Sequence, residues 1–441
     1  MSLNRRTLLA LAGIGFPGTG LAGCLDNVTM PGDGAAAAQQ VTAPNARPDA
    51  TEEQIAEYIR ENVTFGIDLL RSIAEEESQS NLMVSPISVS AALGMTLAGT
   101  RGDTEAEIRE ALRFPHGQET LHPTIGALQY ELNEVASEDV DGDLELAIAN
   151  RLWGQADYPF LDAYLETIED HYGAGFEEVD FVDDPEGSRE TINEWVAERT
   201  NDRIDELFPG GSIDALTRLV ITNAVYLLAD WARPFDPDDT TDNEFTALDG
   251  STAEVAMMHQ TDDFRYLPGH EAGYEALELP YVGESLSMVV ILPAADTFAA
   301  FEADLDGGWM VDRFAELDAA DEREVGVSLP RFEFETAAPL GNHLAALGMP
   351  SAFDPDAANF EGLVAPEDTI ERLFIHEVFH DTFVAVDEEG TEAAAATGVQ
   401  IGTDSAPPQI IVDRPFLFLI RHRGTDTILF LGRVVDSDGM V

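Results

Sequence analysis

Five residues in the C-terminal third of the chain, His376-Glu377-Val378-Phe379-His380, match H-E-x-x-H. In that pattern two imidazoles hold a zinc ion and the glutamate activates a bound water, which requires a helix to bring positions i and i+4 to one face. The context here is β-rich. The motif runs straight into Phe383-Val384-Ala385-Val386, no helix cap precedes it, and no H-x-x-G-x-x-H follows, although Glu388, Glu389 or Glu392 could be offered as a third ligand. On a strand the two histidines would share a face but stand about 13 Å apart at ~3.3 Å per residue, too far for one metal. Other catalytic groupings are weaker still. There is no G-x-S-x-G elbow, and Gly210-Gly211-Ser212 has the wrong spacing and follows a proline. The chain has no lysine, so no phosphate-cradling G-x-x-x-x-G-K exists. Asp139-Val140-Asp141-Gly142-Asp143 is misspaced for an EF-hand and reads as a solvated acidic turn. Asn62-Val63-Thr64 is a glycosylation sequon, but it falls in the opening helix. No catalytic residue, metal or cofactor is expected, and the chain reads as a non-enzyme.

The segment Asp387 to Asp413 is different. As a loop it is long, and loops of this length are functional or disordered. From Thr391, alternate positions are Thr391, Ala393, Ala395, Thr397, Val399, Ile401 and Thr403, all small or apolar. The interleaved set, Glu392, Ala394, Ala396, Gly398, Gln400, Gly402 and Asp404, is small or polar. This is a period-2 strand code with one buried face. No proline interrupts it, and two follow at once, Pro407 and Pro408. The pattern suits a loop that can enter a sheet. It also suits a permanent strand, or an Ala-rich helix over Thr391–Ala396, and periodicity does not separate these.

The elements around it form an α+β pattern in one domain, with helices dominating the first half and strands the second. Ile55, Ile59, Val63, Ile67 and Leu70 recur at helical spacing. Asn81–Thr100 predicts a short strand and a largely buried helix, Glu105–Leu112 another helix, and Leu144–Leu152 a strand. Asp162–Tyr172 and Pro185–Asp202 read as helices. Leu219–Leu228 is apolar enough for a central strand buried on both faces. Strands follow at 276–279, 286–292, 324–329, 383–386 and 410–412, and Phe416–Arg421 with Ile428–Val435 read as a terminal hairpin.

The chain has 441 residues, 84 acidic and 23 basic, all of the latter arginine, for a net charge of -61. Such a chain repels nucleic acid and anionic membrane surfaces. The composition resembles that of extremely halophilic archaea, where carboxylates keep a surface hydrated while salt screens repulsion to about 3 Å at 1 M. The N-terminus carries a twin-arginine pair, Arg5-Arg6, an apolar run from Leu8 to Phe16 too short to span a bilayer, and Leu21-Ala22-Gly23-Cys24, which resembles a lipoprotein box. Residues 1–23 are expected to be an export signal and Cys24 the lipidated residue. Residues 24–50, rich in Ala, Gly, Pro and Asn, are expected to be a flexible linker, with the folded domain over 51–441. The protein is then exported and held at the outer face of the cell membrane, or secreted.

Several of these segments together resemble the serpin family of protease inhibitors. Glu388-Glu389-Gly390-Thr391-Glu392-Ala393-Ala394-Ala395-Ala396-Thr397 is similar, almost residue for residue, to the hinge of inhibitory serpins, and Phe379–Asp387 to the strand that leads into it. Asn81–Ser90, Gly102–Thr104, Ile192–Val196 with Thr200-Asn201, Thr217–Tyr226, Pro415–Phe418 and Leu431–Arg433 match further family segments in order, so that the resemblance covers roughly residues 55–437. It implies a serpin fold: a single domain with a large central mixed sheet, two smaller sheets, about nine helices and an exposed reactive-centre loop. It implies a monomeric suicide substrate for a serine or cysteine endopeptidase, which cleaves the loop, becomes acylated, and is trapped as the loop enters the main sheet. Fourteen residues from Thr391 to Asp404 span about 46 Å as a strand, enough to carry a protease across the domain. The resemblance also implies a polar shutter at Ser85, Ser88, Asn223 and His380, and a reactive site at Asp404–Ser405, with Thr403–Asp404 the near alternative. Between Thr391 and Ser405 there is no Arg, Lys, Phe, Tyr, Leu or Met, which disfavours trypsin-like and chymotrypsin-like targets. A non-inhibitory serpin that binds or carries a ligand is the alternative reading, and an HExxH metalloprotease the more distant one.

Overall fold

The computed structural model describes residues 43–137, 140, 142–269, 273–365, 372–391 and 407–440. Thr51 opens the first helix, α1 (Glu52–Glu76). Its hydroxyl accepts from Gln54 N at 3.2 Å, and the Gln54 side chain accepts the Thr51 N–H at 2.8 Å, a reciprocal cap. The stripe Ile55, Ile59, Val63, Ile67 and Leu70 is buried, as its spacing predicts. Asn62 lies on the same side, buried and donating to Pro86 O and Ser90 Oγ, so the sequon asparagine is part of the core. The short strand β1 (Leu82–Val84) leads into α2 (Pro86–Ala98), whose first-turn proline carries the fixed φ a helix start accepts. Then come α3 (Gly102–Ala111), α4 (Gln118–Ala136), α5 (Asp162–Tyr172) and α6 (Pro185–Arg199), and later α7 (Phe298–Asp304), α8 (Gly307–Ala319) and α9 (Gly341–Leu347). These make nine α-helices among the described residues.

The main sheet comprises two hydrogen-bonded pieces. In one, β2 (Leu144–Gln155) pairs antiparallel with β4 (Leu219–Asp230) and parallel with β3 (Gly175–Val179). In the other, β10 (Phe332–Pro339) pairs antiparallel with β11 (Phe379–Val386) over eight residue pairs. Strand β4 is central, as its apolar run predicts. Its odd residues Val225, Leu227 and Ala229 join the large core, while Val220 packs with Trp153, Phe181 and Ile192 in a smaller core beneath α6.

The two smaller sheets share one long strand, β6 (Thr252–Leu267). Its end pairs with β7 (Tyr274–Pro280), followed across the sheet by β8 (Leu286–Pro293), β14 (Phe416–His422), β15 (Thr427–Val434) and β1. The rest of β6 pairs with β5 (Thr241–Thr246) and β9 (Arg323–Pro330), and β9 pairs parallel with β13 (Gln409–Ile411). The terminal hairpin β14–β15 forms where predicted and is buried along its whole length.

Arginine serves as both ion partner and ring cover. Eight arginines among the described residues sit over aromatic faces, including Arg151 at 4.9 Å from the Trp195 ring and Arg421 at 4.9 Å from that of Phe314. Arg421 is fully buried and paired with Glu278 at 2.7 Å, Asp318 at 2.7 Å and Asp426 at 2.6 Å. Residues 43–50, read from composition as the end of the linker, lie on the domain: Pro44 is buried, Arg47 grips Glu131 through two nitrogens at 2.8 and 3.0 Å, and the Ala43 carbonyl lies where a side chain on Gly173 would be. No described helix is long and apolar enough to cross a membrane.

Candidate functional site

The hinge begins at a tight turn. Strand β11 ends at Val386, Asp387 N donates to Gly390 O at 3.0 Å, and the Asp387 carboxylate accepts from Glu389 N and Gly390 N at 2.9 and 3.2 Å. The chain then reverses into β12 (Gly390–Thr391), which pairs antiparallel with the end of β4, Gly390 opposite Asp230 and Thr391 opposite Ala229. Because β12 reverses β11 and runs against β4, β4 and β11 are parallel. Among the described residues they share no ladder. A seam therefore runs between the two pieces of the main sheet, and β12 sits in its mouth.

Each described hinge residue, Glu388 to Thr391, is held. Glu388 is buried, and its carboxylate accepts from Arg331 Nε at 2.7 Å, from Arg331 Nη2, and from the Thr240 hydroxyl. Burial alone would raise its pKa, but the Arg331 and Thr240 contacts outweigh that and hold it below the usual glutamate range. Its carbonyl accepts Phe235 N at 2.8 Å. The Glu389 carbonyl accepts Trp231 N at 2.7 Å, and the Trp231 indole donates to Asp387 O at 3.0 Å. Partial burial raises the Glu389 carboxyl, helped by Asp387, Asp230 and Glu388. The Thr391 hydroxyl is 2.8 Å from the Tyr281 hydroxyl, and the Tyr281 ring stacks on Trp231 with centroids 4.6 Å apart. Gly390 is required by close approach: a Cβ there would lie 2.1 Å from Ala229 O and 2.7 Å from Asp230 Cα.

Deeper in the seam, His380 is buried on β11 and its Nε2 accepts the backbone N–H of Ser85 at 3.0 Å. That bond places the ring proton on Nδ1 and keeps the imidazole neutral, and burial pulls its pKa down to about 4. Ser85 and Ser88 are fully buried, and neither hydroxyl has a hydrogen-bond partner among the described groups. Of the residues expected to form a shutter, Ser85 and His380 are joined through a main-chain N–H, and Ser88 lies in the first turn of α2. Asn223 lies on β4 opposite Asn150, with its side chain outside the described residues. Glu392 to Thr397, Asp404, Ser405 and Cys24 also lie outside them.

The HExxH residues are not on a helix. His376 is exposed on irregular chain, His380 is buried at the start of β11, and Glu377 Oε1 accepts from Gly341 N at 2.7 Å and Val378 N at 2.9 Å. Among the described residues no group of three His, Cys, Asp or Glu is placed to hold a metal. Sequence reading missed Trp231, Thr240, Tyr281 and Arg331, which fix the hinge. Each sits outside any local motif and reaches the hinge only through the fold. The half-buried carboxyl of Asp381 on β11 was also missed, although its place in the period-2 pattern next to His380 marks it.

A sequence model of one family, described as "Serpin (serine protease inhibitor)", matches residues 60–437. The horse (Equus caballus) leukocyte elastase inhibitor is 36% identical over 379 residues, covering 84% of this chain and 97% of that protein. Among solved structures, the thermophilic serpin tengpin in its native state superposes with a TM-score of 0.74 at 28% identity, covering 90% of this chain and 97% of that one. Human thyroxine-binding globulin, complexed with thyroxine, gives 0.75 at 27% identity, covering 87% and 99%.

Proposed function

The chain belongs to the serpin family, and from that premise we propose that it is a suicide-substrate inhibitor of serine or cysteine endopeptidases. The observation that carries the proposal is the register of β12 on β4. Continued along the strand, Ala393 falls opposite Leu227, Ala395 opposite Val225, Val399 opposite Ile221 and Ile401 opposite Leu219, starting from Thr391 opposite Ala229. Residues paired across an antiparallel ladder point to the same face. The β4 partners Leu227, Val225 and Ala229 face the large core, with Leu219 and Ile221 packed against it. The alternate set that is small or apolar in the sequence is thus the set that would be buried.

In this mechanism the protease nucleophile attacks the Asp404 carbonyl, the Asp404–Ser405 bond breaks, and the new amine of Ser405 leaves with a proton from the protease. The freed segment enters the seam antiparallel to both β4 and β11, pairing edge groups that have no strand partner among the described residues, and the acyl-enzyme is carried along. The partner is a protease that accepts aspartate, or a broad subtilisin-like or elastase-like enzyme. Incubation with such enzymes in high salt is expected to give an SDS-stable complex, a mass-mapped cut at Asp404–Ser405, and a rise in Tm after cleavage. Cleavage with no covalent adduct and no gain in Tm refutes the reading. The thyroxine complex of the human globulin favours carriage of a small ligand as the second reading, and the run Ala393–Ala396, free of bulk and charge, weighs against it.

We also place the protein outside the cell, tethered by lipid at Cys24. A Cys24→Ser variant is then expected to move from the membrane fraction to the medium.

A further inference from the structure

Asp381 is the acidic residue on the seam-facing strand β11. It points to the α6 side of the sheet, since its neighbours His380 and Thr382 are buried on the other side. Its own face carries Phe379 and Phe383. On β10 the charged neighbours are Glu335, which faces Phe383 across the ladder, and Glu333 two pairs further along. Arg203, in the connection between α6 and β4, lies over the Phe383 ring at 5.3 Å. Among the described groups, Asp381 has no hydrogen bond to its carboxylate.

The register at the mouth of the seam says what would come beside it. With Asp387 bonded to Gly390, and Thr391 opposite Ala229, a strand continuing inward would bring Ala396 level with Asp381, flanked on the same face by Ala394 and Gly398. None of these brings a donor. A carboxylate that loses water on one side and gains methyl groups is driven towards its neutral form.

We propose that loop insertion is coupled to protonation of Asp381, so that this inhibitor traps faster in neutral or mildly acidic medium than in alkaline medium. This rests on the insertion reading given above. In the structure, burial and then the nearby Glu335 already push the Asp381 carboxyl up to about 7. The seam therefore stands near its point of half-ionisation before any strand enters, and alkaline medium places a charge where the strand must pass. If insertion raises this carboxyl by one further pH unit, the rate falls about tenfold between pH 6 and pH 9.

A peptide with the sequence of residues 391–403 removes the protease, and its own titration, from the test. Its annealing to the intact protein is followed by native gel mobility and by the gain in Tm, at constant high salt from pH 6 to pH 9. Wild type is expected to slow about tenfold across this range, Asp381→Asn to anneal at one fast rate throughout, and Glu335→Gln to keep the wild-type shape with its midpoint moved to lower pH, because the Glu335 charge that helps raise the Asp381 carboxyl is gone. A flat wild-type profile, or an Asp381→Asn variant that keeps the wild-type slope, overturns the coupling while leaving insertion standing. Should Asp381→Asn fail to fold, the absence of any midpoint change in Glu335→Gln overturns it. No annealing at any pH, with no gain in Tm on loop cleavage, overturns the insertion reading and this proposal with it.

Discussion

Acidification should weaken the native fold through His380. The folded ring is neutral with its pKa near 4, against about 6.5 for an unfolded histidine. A depressed histidine contributes stability that is complete above pH 6.5 and is lost as pH falls towards 4, because the unfolded chain takes up the proton first. The gap corresponds to about 3.4 kcal/mol in full, and to about 2 kcal/mol at pH 5. Protonation also turns Nε2 into a donor facing another donor, the Ser85 N–H 3.0 Å away, so the seam loses its bond when the ring charges. The assay is urea unfolding of wild type and His380→Gln at pH 7 and pH 5 in the same salt. Wild type should lose about 2 kcal/mol more than the variant between the two conditions. His122 and His422 are also buried and lowered to about 4, and they contribute equally to both proteins, so the difference isolates His380. An equal loss in both proteins refutes the reasoning.

Other perturbations test the hinge. Glu388→Gln should cost about 1–3 kcal/mol in denaturant midpoint, less than a fully buried pair because the Arg331 side chain is 36% exposed. Gly390→Ala places a methyl against the Ala229 carbonyl and the Asp230 backbone, and should cost about 1–3 kcal/mol and raise hydrogen exchange at Thr391. Ala395→Arg would put an unpaired guanidinium on the core face of the inserting strand. It should turn the inhibitor into a substrate, with a stoichiometry of inhibition raised about tenfold or more, read from SDS gels.

The elements most legible in the sequence were those whose pattern is local. Asp162–Tyr172 is a helix over the residues its spacing predicts, and Leu219–Leu228 lies within β4. Helix α4 escaped notice because its buried face is written in mixed residues, His122, Thr124, Gly126 and Gln129, with Pro123 in its second turn. Strand β6 escaped because sixteen residues serve two sheets, and the exposed Asp262 and Asp263 break its alternation. At the site, the hinge was readable because its small residues at alternate positions make a local pattern. The residues that hold it were not: Arg331 comes from just before β10 and Thr240 from just before β5, and only tertiary structure brings both to Glu388. Nor does sequence show that the Ser85 and Ser88 hydroxyls lack partners, since burial without a bond is a property of the assembled seam.

The arginines laid over aromatic rings bear on what solvent this molecule tolerates. Stacking acts at contact distance, where mobile ions have no room to intervene, whereas repulsion among 84 acidic side chains acts through the solvent. Diluting the salt from 1 M to 0.1 M lengthens the reach of that repulsion from about 3 Å to about 10 Å and leaves the stacked contacts as they were. Cohesion is therefore nearly constant across ionic strength while the disruptive force is not. Desalting is therefore expected to loosen the fold, and a purification that never leaves concentrated brine is expected to return more of the protein folded.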